Sequence, residues 1–153
     1  MTAAGEPKFR LKQAVDAVYK GNLSSWAEAS TLPAPLREKL EKDAPVLVVA
    51  EARVLVSEDG RAHKAALRLV DGCLVEAVLL KPKPTDDWSV CVSTQVGCAM
   101  GCTFCATGLM GLRRNLTAEE IADQVLFWRG YLKSHRLEGR VSNVVYMGMG
   151  EPF

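Results

Sequence analysis

The run Trp88-Ser-Val-Cys-Val-Ser-Thr-Gln-Val-Gly-Cys-Ala-Met-Gly-Cys-Thr-Phe-Cys-Ala-Thr-Gly108 begins as a strand and ends as a glycine-punctuated loop with three cysteines. The strand is read over Ser89 to Thr94, and the alternation Val90, Cys91, Val92 puts the Cys91 side chain opposite both valines. Downstream, Thr117-Ala-Glu-Glu120 is a capping box, in which hydroxyl and carboxylate satisfy each other's backbone N–H groups at a helix start. The helix behind it, Thr117 to Ser134, carries Ile121, Val125, Trp128 and Leu132 at helical spacing along one face. Val141 to Met147 is a second strand, and Gly148-Met-Gly-Glu-Pro-Phe153 ends the sequence. Strand, long crossover with a helix, strand predicts one βαβ unit and parallel pairing. A parallel sheet is covered on both faces, so the second strand calls for a further neighbour, and the expectation is a domain that stops part-way.

Upstream, three β-rich runs read as a meander: Val46 to Val56, Ala65 to Val70 and Cys73 to Leu80, with turn signals at Glu58-Asp-Gly60 and Asp71-Gly72. Lys81-Pro-Lys-Pro84 breaks the pattern, and the boundary is placed there. Before the meander the sequence is helical. Phe9, Leu11, Ala14, Val15 and Val18 recur at three- and four-residue spacing up to Gly21-Asn22, Ser24-Ser25 can cap a short helix over Trp26 to Ser30, and a third helix follows Pro33 through Leu40. The expected architecture is α/β. A small N-terminal helical plus β-meander domain over 1–84 is followed, over 85–153, by the first βαβ unit of an incomplete parallel sheet.

The 153 residues are 48% hydrophobic and 24% charged, values of a globular chain, which argues against disorder and collagen-like sequence. Nineteen basic residues against eighteen acidic ones give a net charge of +1, so a strongly basic nucleic-acid tail is excluded while a local basic patch is not. No apolar stretch approaches the roughly 18 residues of a membrane span, and the first eight residues have no apolar signal region. A cytoplasmic address is therefore expected. In that compartment five cysteines argue for metal or catalysis before disulfides, and four of them, Cys91, Cys98, Cys102 and Cys105, fall within fifteen residues. A structural zinc site takes four protein ligands; three clustered thiolates suit an iron–sulfur cluster better, because one iron is left open.

The spacing Cys98-x3-Cys102-x2-Cys105, with the aromatic Phe104 directly before the last cysteine, resembles the signature of the radical S-adenosylmethionine superfamily. The strings Val90 to Cys98, Cys102 to Gly108, Arg114-Asn-Leu116 and Asn143 to Pro152 narrow the likeness to the family that methylates C2 of an adenine in 23S ribosomal RNA and also in a transfer RNA. That resemblance covers Val90 to Phe153 strongly. It covers the helical and meander region more weakly, where Lys8-Phe9-Arg10 and Leu36 to Leu40 fit an RNA-binding accessory domain. It implies that the last 69 residues are the start of a radical (β/α) partial barrel. It implies that Cys98, Cys102 and Cys105 hold a [4Fe-4S] cluster, and that Phe104, Gly150 and Glu151 belong to the S-adenosylmethionine site. Cleavage of that cofactor would give the 5′-deoxyadenosyl radical. Cys91 would resolve a covalent RNA–protein intermediate by way of a transient disulfide, and Glu76, in Val75-Glu-Ala-Val78, would be a proton acceptor.

The same resemblance implies 23S ribosomal RNA and tRNA as partners, a flavodoxin-type electron donor, no membrane, and a monomer at full length. RNA contact is expected from Lys8, Arg10, Lys12 and the Arg37–Lys39 region. The family's methyl-carrying cysteine lies beyond the residues matched, so these 153 residues are expected to be an N-terminal fragment, inactive alone. Two other readings are a radical S-adenosylmethionine enzyme of unrelated substrate, and a non-catalytic zinc or RNA-binding module.

Overall fold

The computed structural model describes residues 6–21, 23–83 and 87–153, which fall into two compact units, one ending at Leu47 and one running from Val48 to Phe153. The boundary expected at 84 lies among residues 84–86, outside the described residues.

The first unit is helical. Helix α1 (Lys8–Gly21) is followed by a 3-10 turn over Trp26–Glu28 and by α2 (Ala34–Asp43). Ser25 caps the turn, its side chain accepting from the Ala27 N–H. The Glu41 carboxylate accepts from the Trp26 N–H at 2.7 Å, and the Trp26 indole donates to the Ala44 carbonyl at 2.6 Å. These bonds tie the turn to the end of α2, and the unit closes on a small core of Ala14, Leu23, Trp26, Ala29, Leu32, Leu36 and Val46. The apolar stripe read on α1 is largely outside that core: only Ala14 is buried, while Phe9, Leu11 and Val15 are exposed. Val46, read as the start of a strand, is a core residue here, and the strand itself begins at Ala50.

The second unit is a five-stranded mixed sheet with a helix on one face, and a separate two-stranded ribbon. Its elements are β1 (Ala50–Val56), β2 (Ala62–Arg68), β3 (Leu74–Leu80), β4 (Trp88–Cys91), β5 (Gln95–Gly97), α3 (Ala106–Leu109), β6 (Leu112–Asn115), α4 (Ala118–Ser134) and β7 (Val141–Val145). The sheet order is β1-β2-β3-β4-β7. β1 to β4 pair antiparallel in sequence, and β4 and β7 pair parallel, the crossover that the capping box and its helix predict. The capping box is made, with Thr117 and Glu120 each accepting from the other's backbone N–H.

The meander and the βαβ unit therefore share a single sheet, because Val78, Leu79 and Leu80 of β3 pair with Cys91, Val90 and Ser89 of β4. The covered face presents Ala65, Leu67, Val75, Ala77, Leu79, Val90 and Val92 to Trp128 and Leu132 of α4, and this is the principal core. His63 sits edge-on to Trp88 and Trp128 within it.

Helix α4 buries a different stripe from the one its apolar residues suggest. Glu120, Asp123, Gln124, Trp128 and Leu132 are buried, while Ile121 and Val125 are half-buried. The buried Glu120, Asp123 and Gln124 each have a partner, which is why the interior tolerates them, whereas the buried indole N–H of Trp128 has no hydrogen-bond partner among the described residues. Glu120 makes a bidentate pair with Arg114, Asp123 accepts from the Val48 N–H, and Gln124 bonds Ser93. The sequence also gives no warning of the small β5–β6 ribbon or of α3, both inside the stretch read as a loop.

Candidate functional site

The carboxyl ends of the parallel strands β4 and β7 are where ligands settle in sheets of this kind. Both candidate motifs lie there: the cysteine loop follows β4, and Gly148 to Glu151 follows β7.

The cysteine loop is closed at its base. Cys98 N–H donates to the Gly111 carbonyl at 3.1 Å, and β5 pairs with β6 across it. Gly97, with φ +78°, is forced by this approach, since a Cβ there would lie 1.8 Å from the Gly111 carbonyl oxygen. Inside the loop, Cys105 N–H donates to the Cys102 carbonyl at 3.0 Å, and Gly108 folds against Cys102 and Gly101 so closely that a Cβ would meet the Cys102 nitrogen at 3.1 Å. Cys98 is buried, its sulfur accepting from the Met100 N–H; Cys102 and Cys105 are half-buried. The Cys105 thiol is pulled below the ordinary cysteine range by the backbone N–H of Gly108 and, next, that of Thr107. The Phe104 ring is exposed, at 91%.

The fit to a cluster can be judged from these groups. Among the described residues no three His, Cys, Asp or Glu side chains are gathered as a ligand set. The donor chemistry nonetheless suits an iron–sulfur centre. Three free thiols sit on one closed loop, and one of them already has its anion favoured by backbone N–H groups.

Beside the loop, Gly150 has φ +101°, and a Cβ on it would fall 2.6 Å from the Gln95 Cβ. Glu151 N–H donates to the Gln95 side-chain oxygen at 3.0 Å, and both residues line a cavity of about 400 Å³ together with Thr94, Asn115 and Tyr146. Gly148 is held by a different contact: a Cβ would lie 2.7 Å from both the Ser93 hydroxyl and the Val92 carbonyl oxygen.

Cys91 and Glu76 share the uncovered face of the sheet. Cys91 pairs with Val78, two residues along β3 from Glu76, so both side chains emerge on the side opposite α4. Burial pushes the Cys91 thiol above its ordinary range, opposed by a bond from the Met147 N–H. The Glu76 carboxylate is half-exposed and ion-paired to Lys64 at 2.7 Å.

Four supporting residues escape a reading of the sequence. Ser93 donates its hydroxyl proton to the Glu76 carbonyl and accepts from the Met149 N–H at 2.8 Å, joining the strand of Glu76 to the loop after β7. Gln124 clamps the Ser93 backbone at both ends, accepting from its N–H at 2.8 Å and donating to its carbonyl at 2.9 Å. Gln95 holds the Glu151 amide, and Lys64 pairs with Glu76. A glutamine inside an apolar helix stripe was the available signal for Gln124; Ser93 and Gln95 look like ordinary strand residues.

Comparison with known proteins agrees with this arrangement. No protein-family model matches the chain. Over 99% of its length the chain is 46% identical to a protein of Salinispora tropica named as a probable dual-specificity RNA methyltransferase, of which it spans 41%. A protein of the same name from Rhodopirellula baltica is 46% identical over 97% of the chain, which spans 38% of it. The crystal structure of a radical SAM methyltransferase from Sphaerobacter thermophilus superposes with a TM-score of 0.90 at 40% identity, over 99% of this chain and 43% of that one. The chain thus spans about two fifths of the length of these relatives. The chain is similar to an N-terminal portion of these RNA methyltransferases and of this radical SAM methyltransferase.

Proposed function

We propose that this chain supplies the cluster-binding and part of the cofactor-binding machinery of an enzyme that methylates C2 of an adenine in 23S ribosomal RNA and in tRNA. The observation that carries this reading is the closed three-thiol loop at the carboxyl end of β4, next to a sheet face bearing Cys91 and Glu76. Cys98, Cys102 and Cys105 would hold a [4Fe-4S] cluster. The turn at Gly150 lets the backbone approach S-adenosylmethionine, the Glu151 carboxylate can accept from its ammonium group, and Phe104 can close over it. When bound, the cluster and cofactor would supply the radical chemistry that an aromatic carbon, neither acidic nor nucleophilic, requires.

The chain's own residues then have separable tasks. Cys91, neutral because it is buried, is kept as a thiol until it is needed to resolve an RNA–protein intermediate. Glu76, ion-paired and half-exposed, is available as a proton acceptor on the same face. Residues 1–84 form the accessory RNA-binding part and 85–153 the start of the radical core. The reductant is a flavodoxin-type protein, and the compartment is the cytoplasm. All five cysteines are assigned to the cluster, to resolution or, for Cys73, to the core, so the 153 residues alone should transfer no methyl group.

Anaerobic reconstitution with iron and sulfide tests this directly. Wild-type protein should take up iron and develop a broad absorption at the blue edge of the visible spectrum. Replacing Cys98, Cys102 or Cys105 by Ala should abolish iron retention, whereas Cys91→Ala and Cys73→Ala should retain it. A colourless zinc-binding protein, or iron loss in Cys91→Ala equal to that in Cys98→Ala, would overturn the assignment.

A further inference from the structure

The basic residues expected to meet RNA in the helical unit are mostly occupied. Arg10 donates to the Gln13 side chain and the Thr31 carbonyl, Lys12 is ion-paired to Asp16, and Arg37 donates to the Ala27 carbonyl. Two arginines of the sheet differ. Arg53 on β1 and Arg68 on β2 are exposed and have no ionic or hydrogen-bonding side-chain partner among the described residues.

Their placement follows from the strand register. Arg53 is opposite Ala66, and Arg68 lies two residues further along β2, so the two guanidinium groups are diagonal neighbours on one face. Lys64 is the other diagonal neighbour of Arg53. Like charges at such positions repel, and Glu76, the one carboxylate of β1 to β3 on this face among the described residues, is taken up by Lys64. Exposed Leu55 and Leu74 stand among these charges, so the face is basic and apolar rather than uniformly solvated. It continues across β3 to Cys91 on β4: Lys64 is opposite Val78 and Val78 opposite Cys91, two strand spacings or about 10 Å, and Arg68, opposite Leu74, lies four residues, about 13 Å, further along the strands.

We propose that this uncovered sheet face is an RNA-contact surface, with Arg53 and Arg68 as phosphate anchors that lead a strand toward Cys91. The proposal rests on the reading that the substrate is RNA. A polyanion relieves the repulsion between the two guanidinium groups, and each can take a phosphate through a bidentate pair. The leucines offer apolar surface to riboses and base faces, whereas a compact inorganic anion would leave them in water.

The test is fluorescence anisotropy of a labelled single-stranded RNA with the 153-residue chain over a range of salt. Four proteins are compared: wild type, Arg53→Glu/Arg68→Glu, Arg53→Lys/Arg68→Lys, and Arg136→Glu in the exposed loop after α4. The double Glu variant should bind roughly tenfold or more weakly and lower the log–log salt slope by about 1.5, as expected for two lost phosphate contacts on a single strand. The Lys pair should keep most of the affinity, and Arg136→Glu should match wild type. Circular dichroism and iron uptake should be the same for all four, so that loss of fold or of the cluster reading is seen separately from loss of RNA. Unchanged binding in the double Glu variant, equal loss in Arg136→Glu, or no binding by wild type would overturn the assignment. Displacement of the RNA by polyglutamate at equal charge would also overturn it, in favour of an acidic protein partner.

Discussion

Replacing Gln124 by Leu should destabilise the sheet unit out of proportion to the chemistry of the change, which conserves volume and adds apolar surface. Gln124 and Ser93 are both fully buried, and the glutamine amide satisfies the N–H and the carbonyl of Ser93 at 2.8 and 2.9 Å. Leucine would leave both Ser93 groups without water or partner, at about 1–3 kcal/mol each, against an apolar gain of about 1–2 kcal/mol. The net loss should be about 3 kcal/mol. Urea unfolding in a Trp26→Phe background lets fluorescence report Trp88 and Trp128, which belong to the core beneath the sheet. With a slope of about 1–3 kcal/mol/M the midpoint should fall by about 1 M or more. Because Met149 donates to the Ser93 hydroxyl, amide exchange at Met149 should accelerate as well. A midpoint at or above that of wild type, with unchanged exchange at Ser93 and Met149, would refute the argument that this glutamine secures the end of β4.

Other changes have equally definite outcomes. Gly148→Ala places a methyl group 2.7 Å from the Ser93 hydroxyl and the Val92 carbonyl, and should cost about 1–3 kcal/mol of overpacking, read as a lowered thermal midpoint. Arg114 bonds hold the carboxyls of Asp71 and Glu120 below the ordinary carboxylate range. Folded-state values that are depressed stabilise the protein above about pH 4 and cease to as the pH falls below it, so Arg114→Ala should flatten the acid limb of a stability–pH profile. Burial instead raises the Asp123 carboxyl, so its contribution is lost as the pH rises through the ordinary carboxylate range; Asp123→Asn should remove that loss, seen in urea midpoints across the same range.

The parts of the fold that were legible in the sequence are those with a local cause. The capping box at Thr117 and Glu120 fixes where α4 starts, and the β-branched runs fix that β3, β4 and β7 exist. What was hidden depends on partners distant in sequence. Asp123 is buried because Val48, 75 residues away, needs an acceptor, and no periodicity could show that. Strand ends shifted for the same reason: Ala62 and His63 join β2 through pairing with Leu80 and Leu79 across the sheet. At the candidate site the spacing of Cys98, Cys102 and Cys105 announced the loop. Its closure by β5 and β6, and the service of Ser93 and Gln95 to the loop after β7, come from tertiary hydrogen bonds alone.

The ribbon that shuts the cysteine loop has a thermodynamic consequence for loading. Between Cys98 and Gly111 the ends are already joined by a backbone bond, so the entropy of bringing a 14-residue segment's ends together, about 2 kcal/mol, is met by β5 and β6 during folding. A centre assembling on the three sulfurs would then have only side-chain torsions and a short stretch of backbone to order. Weakening the ribbon, for example by a residue larger than glycine at Gly97, would shift that cost onto the metal and lower its apparent affinity without touching a single thiol.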